Sequence, residues 1–268
     1  MIRLALRVRR ADAELALAEL LELAPGGVEE VDLGDRVEYA IYGAPGELPD
    51  LPDLEAAAGD ALVEVSTSEV ADDWGERWKA FHQPVDVGGV LVRPPWASAR
   101  DASDIVIDPG QAFGTGGHDT TRLCLELLLG LPEDERRGAF ADLGCGSGVL
   151  AIAAARLGWS PVVALDFDPL AVEATIENAR VNGVEIDTSR WDLRDEMAPP
   201  AQVVAANLLR PLLLDLRFAD PPPRIVIASG LLVAEADEAA DHFAAVHGLV
   251  ETRRLTTREW AALLLVRR

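Results

Sequence analysis

The stretch Asp142-Leu143-Gly144-Cys145-Gly146-Ser147-Gly148 constrains this chain more than any other. It joins an apolar run, Ala139 to Leu143, to a helical pattern, Val149 to Leu157, with glycine at alternate positions between them. A strand that runs through glycines into a helix brings bare backbone and helix-end amides up to a ligand. A second apolar run, Val162-Val163-Ala164-Leu165, ends in Asp166, about 20 residues on, where a carboxylate can grip both hydroxyls of a ribose. Strand, glycines, helix, strand and terminal acid in that order imply a nucleoside-cofactor site.

The glycine spacing separates the cofactor classes. A dinucleotide fingerprint, GxGxxG, places its third glycine where helix and strand pack closely. Here that glycine comes one residue early, at Gly148, and Val149 takes the sixth position, which argues against a nicotinamide dehydrogenase. Asp-x-Gly-x-Gly-x-Gly resembles motif I of the S-adenosylmethionine-dependent methyltransferases.

The order of elements predicts two domains. Residues 1–70 read as a ferredoxin-like βαββαβ unit: Ile2 to Val8, Val28 to Leu33, Arg36 to Tyr42 and Ala61 to Val65 as strands, with helices at Ala13 to Leu23 (Leu17, Leu20 and Leu21 on one face) and Asp53 to Ala58. Residues 71–103 read as a linker helix and hairpin. Trp74, Trp78 and Phe81 fall on one helical face, Val85 to Val92 alternates as a hairpin, and Gly88-Gly89 and Pro94-Pro95 mark bendable points. From residue 104 to 268 the pattern is α/β. Strands are expected at Ile105 to Ile107, Ala139 to Leu143, Val162 to Asp166, Glu185 to Thr188, Val203 to Ala206, Arg224 to Ala228, Val250 to Leu255 and Ala261 to Val266, with helices at Thr120 to Leu129, Val149 to Leu157 and Pro169 to Val181. This predicts a doubly wound, mostly parallel sheet whose last two strands, lacking a crossover, include one antiparallel member.

Charge and composition narrow the partners. A formal net charge of −22 repels a nucleic acid backbone and suits a basic protein partner better. No uncharged apolar run approaches the roughly 20 residues that cross a bilayer, and Met1 to Arg10 alternates arginine with apolar residues rather than forming a signal-peptide core. A soluble, cytoplasmic protein is expected. Cys124 and Cys145 stand in no metal-ligand spacing with the four histidines, so no metal is expected.

Ligands of such a sheet lie at the carboxyl ends of its strands. Asp192, after the third core strand, can reach an adenine amino group or remain a solvated loop acid. Asn207, after Val203-Val204-Ala205-Ala206, offers an amide donor and a carbonyl acceptor to an amine or to the amino-acid end of the cofactor. Residues Asp108 to Thr121 form a second glycine-rich, donor-rich stretch able to bind a carboxylate. Within it His118 is a candidate proton acceptor or a structural loop histidine.

Four motifs together resemble the bacterial PrmA family, the methyltransferases that modify ribosomal protein L11. They are Asp-Pro-Gly-x-Ala-Phe-Gly-Thr-Gly-x-His-x-Thr-Thr from Asp108, Asp-x-Gly-Cys-Gly-Ser-Gly-x-Leu-Ala-Ile-Ala from Asp142, Asp-Pro-x-Ala-Val from Asp168, and Asn-Leu-Leu from Asn207. The chain departs from the commoner pattern at Gly117, where threonine precedes the histidine, and at Asp119, where proline follows it. The resemblance spans essentially the whole chain. It implies a class I methyltransferase domain preceded by a substrate-recognition domain, with S-adenosylmethionine as cofactor and lysine and N-terminal amines of L11, free or on the large subunit, as acceptors. Carried over by motif position, cofactor contacts fall on Thr121, Gly144, Asp166 and Asn207. Gly146 and Asp192 complete the candidate cofactor set, and Asn207 and His118 are the candidate catalytic pair. Alternatives are a lysine methyltransferase acting on another protein and a non-catalytic ribosome-assembly binder.

Overall fold

The computed structural model describes residues 2–13, 16, 20, 29–43, 59–69, 82–109 and 117–267, and the chain divides into two compact units, residues 1–80 and 81–268. In the first, β1 (Ile2–Arg9), β2 (Glu29–Asp32), β3 (Arg36–Gly43) and β4 (Leu62–Glu69) form an antiparallel sheet in the order β2-β3-β1-β4. The alternation of β1 sends Leu4, Leu6 and Val8 into a core with Val37, Tyr39, Ile41, Ala13, Ala16 and Leu20. Arg3 and Arg7 converge instead on the buried carboxylate of Glu38, at 2.5 and 2.7 Å, and the bond from Arg3 holds that carboxyl below its usual range. The strand order is that of a split βαβ unit. The predicted helix Asp53 to Ala58, Leu17 and Leu21, and the ring-bearing face of Trp74, Trp78 and Phe81 lie outside the described residues.

The described residues of the second unit form two sheets. Seven strands, β8 (Phe140–Leu143), β9 (Val162–Asp166), β10 (Asp187–Arg190), β11 (Val203–Asn207), β12 (Ile225–Leu232), β13 (Leu249–Thr256) and β14 (Trp260–Arg267), lie in the order β10-β9-β8-β11-β12-β14-β13. Neighbouring strands from β10 to β12 pair parallel, and β14 runs antiparallel to both its neighbours, the terminal hairpin expected of a class I methyltransferase. Helices α1 (Asp119–Leu129), α2 (Val149–Leu157) and α3 (Pro169–Asn182) cover one face; α4 (Arg210–Leu214) and α5 (Ala236–His247) cover the other. Because both faces are covered, the central strands are continuously apolar: Val203 to Ala206 are each at most 1% exposed.

The smaller sheet belongs to the larger unit. β5 (Val85–Val87) and β6 (Val90–Arg93) form the predicted hairpin, but β6 pairs parallel with β7 (Ile105–Val106), which therefore does not join the large sheet. Val87, Val92, Ile105 and Ile107 are each at most 2% exposed and share one core with Leu123, Leu127 and Val149, so the hairpin packs within the large unit. Gly88 and Gly89, expected as a bendable point, both have positive φ (57° and 89°) and form the two-residue turn of this hairpin.

β12 runs beyond its expected end at Ala228. Its pairing with β14 slips between Ala228 and Leu231, and Gly230 (φ 84°) sits in the slip, where an added Cβ would lie 2.2 Å from the carbonyl oxygen of Leu208. Glycine is required there twice, by dihedral and by contact. Gly230→Ala is expected to cost about 1–3 kcal/mol from backbone strain alone, and more as Leu208 is displaced. Urea unfolding of the two proteins checks this; equal midpoints and slopes would refute it.

Candidate active site

Register fixes where the chemistry gathers. Arg190 pairs with Asp166, Leu165 with Leu143, Leu143 with Ala206, and Asn207 with Ser229, so β10, β9, β8 and β11 end along one edge while β12 runs on past it to Leu232. The glycine loop leaves β8 at that edge. Gly144, Gly146 and Gly148 all have positive φ, and a Cβ on Gly144 would come within 2.4 Å of the Leu208 side chain. The loop is thus bare because the next strand's exit residue packs directly over it.

Asp166, the last residue of β9, holds this loop in place. Its Oδ2 accepts the N–H of Gly146 and its Oδ1 the N–H of Asp168, at 2.9 and 3.0 Å. A carboxylate offers about four acceptor positions, so two remain after these bonds. Asp166 and Gly144 line a cavity of about 300 Å³ with Phe167, Trp191, Asp192, Leu193, Arg194, Leu208 and Leu212. Phe167 is half exposed and lies under the guanidinium groups of Arg190 and Arg194, 4.8 and 5.1 Å from its ring centre.

Asp192 stands in this cavity as expected, but its carboxylate is already engaged. Arg194 donates to both of its oxygens from Nε and Nη2, at 2.9 and 2.7 Å, and adds its backbone N–H at 3.0 Å. The guanidinium beside it holds the carboxyl down at about 2.

A second cavity, of about 380 Å³, shares Leu208 and Leu212 with the first and is otherwise lined by His118, Thr120, Asn207, Leu209, Gly230 and Trp260. Asn207, at the end of β11, donates from Nδ2 to the hydroxyl of Thr121 at 3.3 Å, and Thr121 is itself 1% exposed. That bond leaves the Asn207 carbonyl as the acceptor of the amide. His118 is the N-cap of α1: its Nδ1 accepts the N–H of Thr120 at 3.3 Å and lies 2.8 Å from that residue's hydroxyl, while its ring meets Trp260 edge to face at 5.2 Å. Capping commits Nδ1 and favours the structural reading of this histidine.

Gly144, Gly146, Asp166 and Asp192 therefore gather at one end of this edge, and Thr121, His118 and Asn207 at the other. Residues 110–116 of the second glycine-rich stretch lie outside the described residues. Phe167, Trp191, Leu208, Leu212 and Trp260 were not read from the sequence as site residues. The signal for Phe167 was its place directly after the strand-end acid. Among the described residues no group of three or more His, Cys, Asp or Glu is arranged to hold a metal ion, and no helix is long and apolar enough to cross a membrane.

Beneath the loop, Asp142 is 1% exposed; its Oδ2 accepts the N–H of Ala151 at 3.1 Å, and its Oδ1 has no partner. Burial pushes its carboxyl up to about 7. The native protein then keeps a proton that the unfolded chain, with a value near 3.8, has released. The stability from this group is present below about pH 4 and is lost as pH rises through about 7. Asp142→Asn, which imitates the protonated acid, is expected to gain stability relative to the parent between about pH 5 and 8. Thermal melts across that range decide it; a constant or shrinking difference would count against the assignment.

A family model described as ribosomal protein L11 methyltransferase (PrmA) matches residues 51–268. The ribosomal protein L11 methyltransferase of Bordetella bronchiseptica is 37% identical over 295 residues, covering 91% of this chain and 93% of the relative. That of Alkaliphilus oremlandii is 34% identical over 247 residues, covering 88% and 76%. Among solved structures, the ribosomal protein L11 methylase of Lactobacillus delbrueckii subsp. bulgaricus superimposes with a TM-score of 0.58 at 27% identity, covering 70% of this chain and 100% of that one.

Proposed function

The chain belongs to the ribosomal protein L11 methyltransferase (PrmA) family, and from that membership we propose that it moves methyl groups from S-adenosylmethionine to lysine side-chain amines and the N-terminal amine of ribosomal protein L11. The observation that carries this reading is the pair of adjoining cavities. One is bounded by the glycine loop and Asp166, the other by Asn207, and Leu208 and Leu212 form the wall between them. A nucleoside and the reactive group attached to it need such a pair of neighbouring sites.

The residues present fit the cofactor. The two acceptor positions left on Asp166 suit the two ribose hydroxyls, Gly144 and Gly146 allow close approach of backbone, and the Phe167 ring offers an apolar face to a base. Thr121 and Asn207 would hold the amino-acid end. Asp192, occupied by Arg194, would help to shape the adenine pocket and present its polar rim. When bound, S-adenosylmethionine supplies a methyl group on a cationic sulfur. The apolar walls made by Leu208, Leu209, Leu212 and Trp260 would exclude water and sheathe the methylenes of a lysine. The Asn207 carbonyl would accept an N–H of the incoming amine and aim its lone pair. His118 would hold the start of α1 and the Trp260 ring in place.

In this reading residues 1–70 recognise the substrate and residues 104–268 carry the cofactor, and the hairpin of the connector, residues 85–93, packs with the cofactor-binding part. The protein works in the cytoplasm, on L11 free or on the large subunit. The net charge of −22 favours a basic protein over direct binding of nucleic acid.

Incubation with L11 and S-adenosylmethionine, followed by mass spectrometry, is expected to show 14-dalton increments at lysine and N-terminal amines; unchanged L11 would refute the reading. Asp166→Ala is expected to weaken S-adenosylmethionine binding at least tenfold, since each charge-assisted bond is worth about 1.5–3 kcal/mol. Unchanged affinity by calorimetry would remove Asp166 from the site. Asn207→Ala is expected to lower kcat more than it weakens cofactor binding, which single-turnover kinetics at saturating cofactor would measure.

A further inference from the structure

We propose that Asn178 is a positioning residue for the cofactor: from α3 it ties the glycine loop to the segment that leads into the second glycine-rich stretch, and so fixes the spacing of the two. The inference rests on S-adenosylmethionine being the donor. Asn178 is 2% exposed, and both ends of its amide are used. Its Nδ2 donates to the carbonyl of Ser147 at 2.9 Å, and its Oδ1 accepts the N–H of Asp108 at 2.9 Å. Ser147 lies between Gly146 and Gly148, and Asp108 lies two residues before Gly110. One side chain therefore bridges both segments that carry the cofactor motifs.

Its neighbours on α3 extend the same device. Thr175, one turn earlier, donates from Oγ1 to the carbonyl of Gly146 at 3.0 Å. Carbonyl and N–H point in opposite directions across a trans peptide, so drawing the carbonyls of Gly146 and Ser147 toward α3 fixes the orientation of the Ser147 N–H and supports the turn in which the Gly148 N–H donates to the Cys145 carbonyl at 2.8 Å. Asn182, one turn later, accepts the N–H of Val106 at 2.9 Å and donates to the Val106 carbonyl at 2.6 Å. It thus secures the same approaching segment without touching the glycine loop. A buried polar stripe on an otherwise apolar helix face is costly unless every atom is bonded, and the backbone of these two segments supplies the partners.

Asn182 provides the control that separates positioning from stability. Both asparagines are buried and bond backbone, so replacing either lowers the melting temperature; Asn178 alone reaches the loop. Calorimetry on the full-length chain, well below each variant's melting temperature, would compare S-adenosylmethionine binding by the parent, Asn178→Leu and Asn182→Leu. Asn178→Leu is expected to bind about tenfold more weakly or worse, with kcat at saturating cofactor within about threefold, and Asn182→Leu to bind within about twofold of the parent. If a leucine variant does not fold, the aspartate variant of that position takes its place. Asn178→Asp keeps an acceptor for Asp108, loses the donor to Ser147, and is held to the same threshold. Equal affinity in the parent and the Asn178 variant, or equal losses in the two variants, would overturn the inference alone. Failure of the parent to bind S-adenosylmethionine would overturn the donor reading and this inference with it.

Discussion

A sheet buried on both faces has nowhere to put chemistry except its edges. The parallel strands β9, β8, β11 and β12 are sandwiched between α1, α2 and α3 on one side and α4 and α5 on the other, and their interiors are almost wholly apolar. Polar side chains and bare backbone are admitted where the strands stop. Parallel register makes β9, β8 and β11 stop together, so Gly144, Asp166 and Asn207 come together although they are far apart in sequence. The bonds from Asp166 to the N–H groups of Gly146 and Asp168 then lock two adjacent strand exits to each other.

The same constraint decided which parts of the fold were legible in the sequence. β9 has the bounds read from its apolar run, because a strand covered on both faces stays apolar until it reaches the sheet's edge, which Asp166 marks. β10 was expected at Glu185 to Thr188 and lies at Asp187–Arg190. It is one of the sheet's two edge strands, largely exposed, and Val184 and Ile186 pack on the core before pairing begins, so hydrophobicity and strand do not coincide. β7 carried an ordinary strand signal, but nothing local says which sheet a two-residue strand will join. Its partner was set by tertiary packing of Val92 against Ile105 and Ile107.

In the candidate site, the residues at the cavities that terminate strands or leave out a side chain were legible: Gly144, Gly146, Asp166 and Asn207. Each is an interruption of a pattern. Phe167, Trp191, Leu208, Leu212 and Trp260 were not, since an apolar residue at a cavity wall looks like any other core or loop residue until the walls are assembled. Asn178 and Thr175 fall in the same class. On a helix pattern they register only as weak positions on the buried face, and their purpose appears once the glycine loop's carbonyls are seen to need donors.

Residue type also says less than the number of bonds a group has left. Asp166 and Asp192 both follow apolar strands, and both were expected to face the cofactor. The first accepts two backbone N–H groups and keeps about half of its acceptor capacity; the second accepts a bidentate guanidinium and a backbone N–H from Arg194. A third acid, Asp142, lies deeper still, with one oxygen bonded and one unpartnered, and its environment answers by favouring the neutral form. Three aspartates near one glycine loop thus have three different fates: one with acceptor capacity to spare, one spent on a neighbour two residues away, and one whose neutral form burial favours. The difference lies in what surrounds each carboxylate, and Arg194, Ala151 and Gly146 decide it.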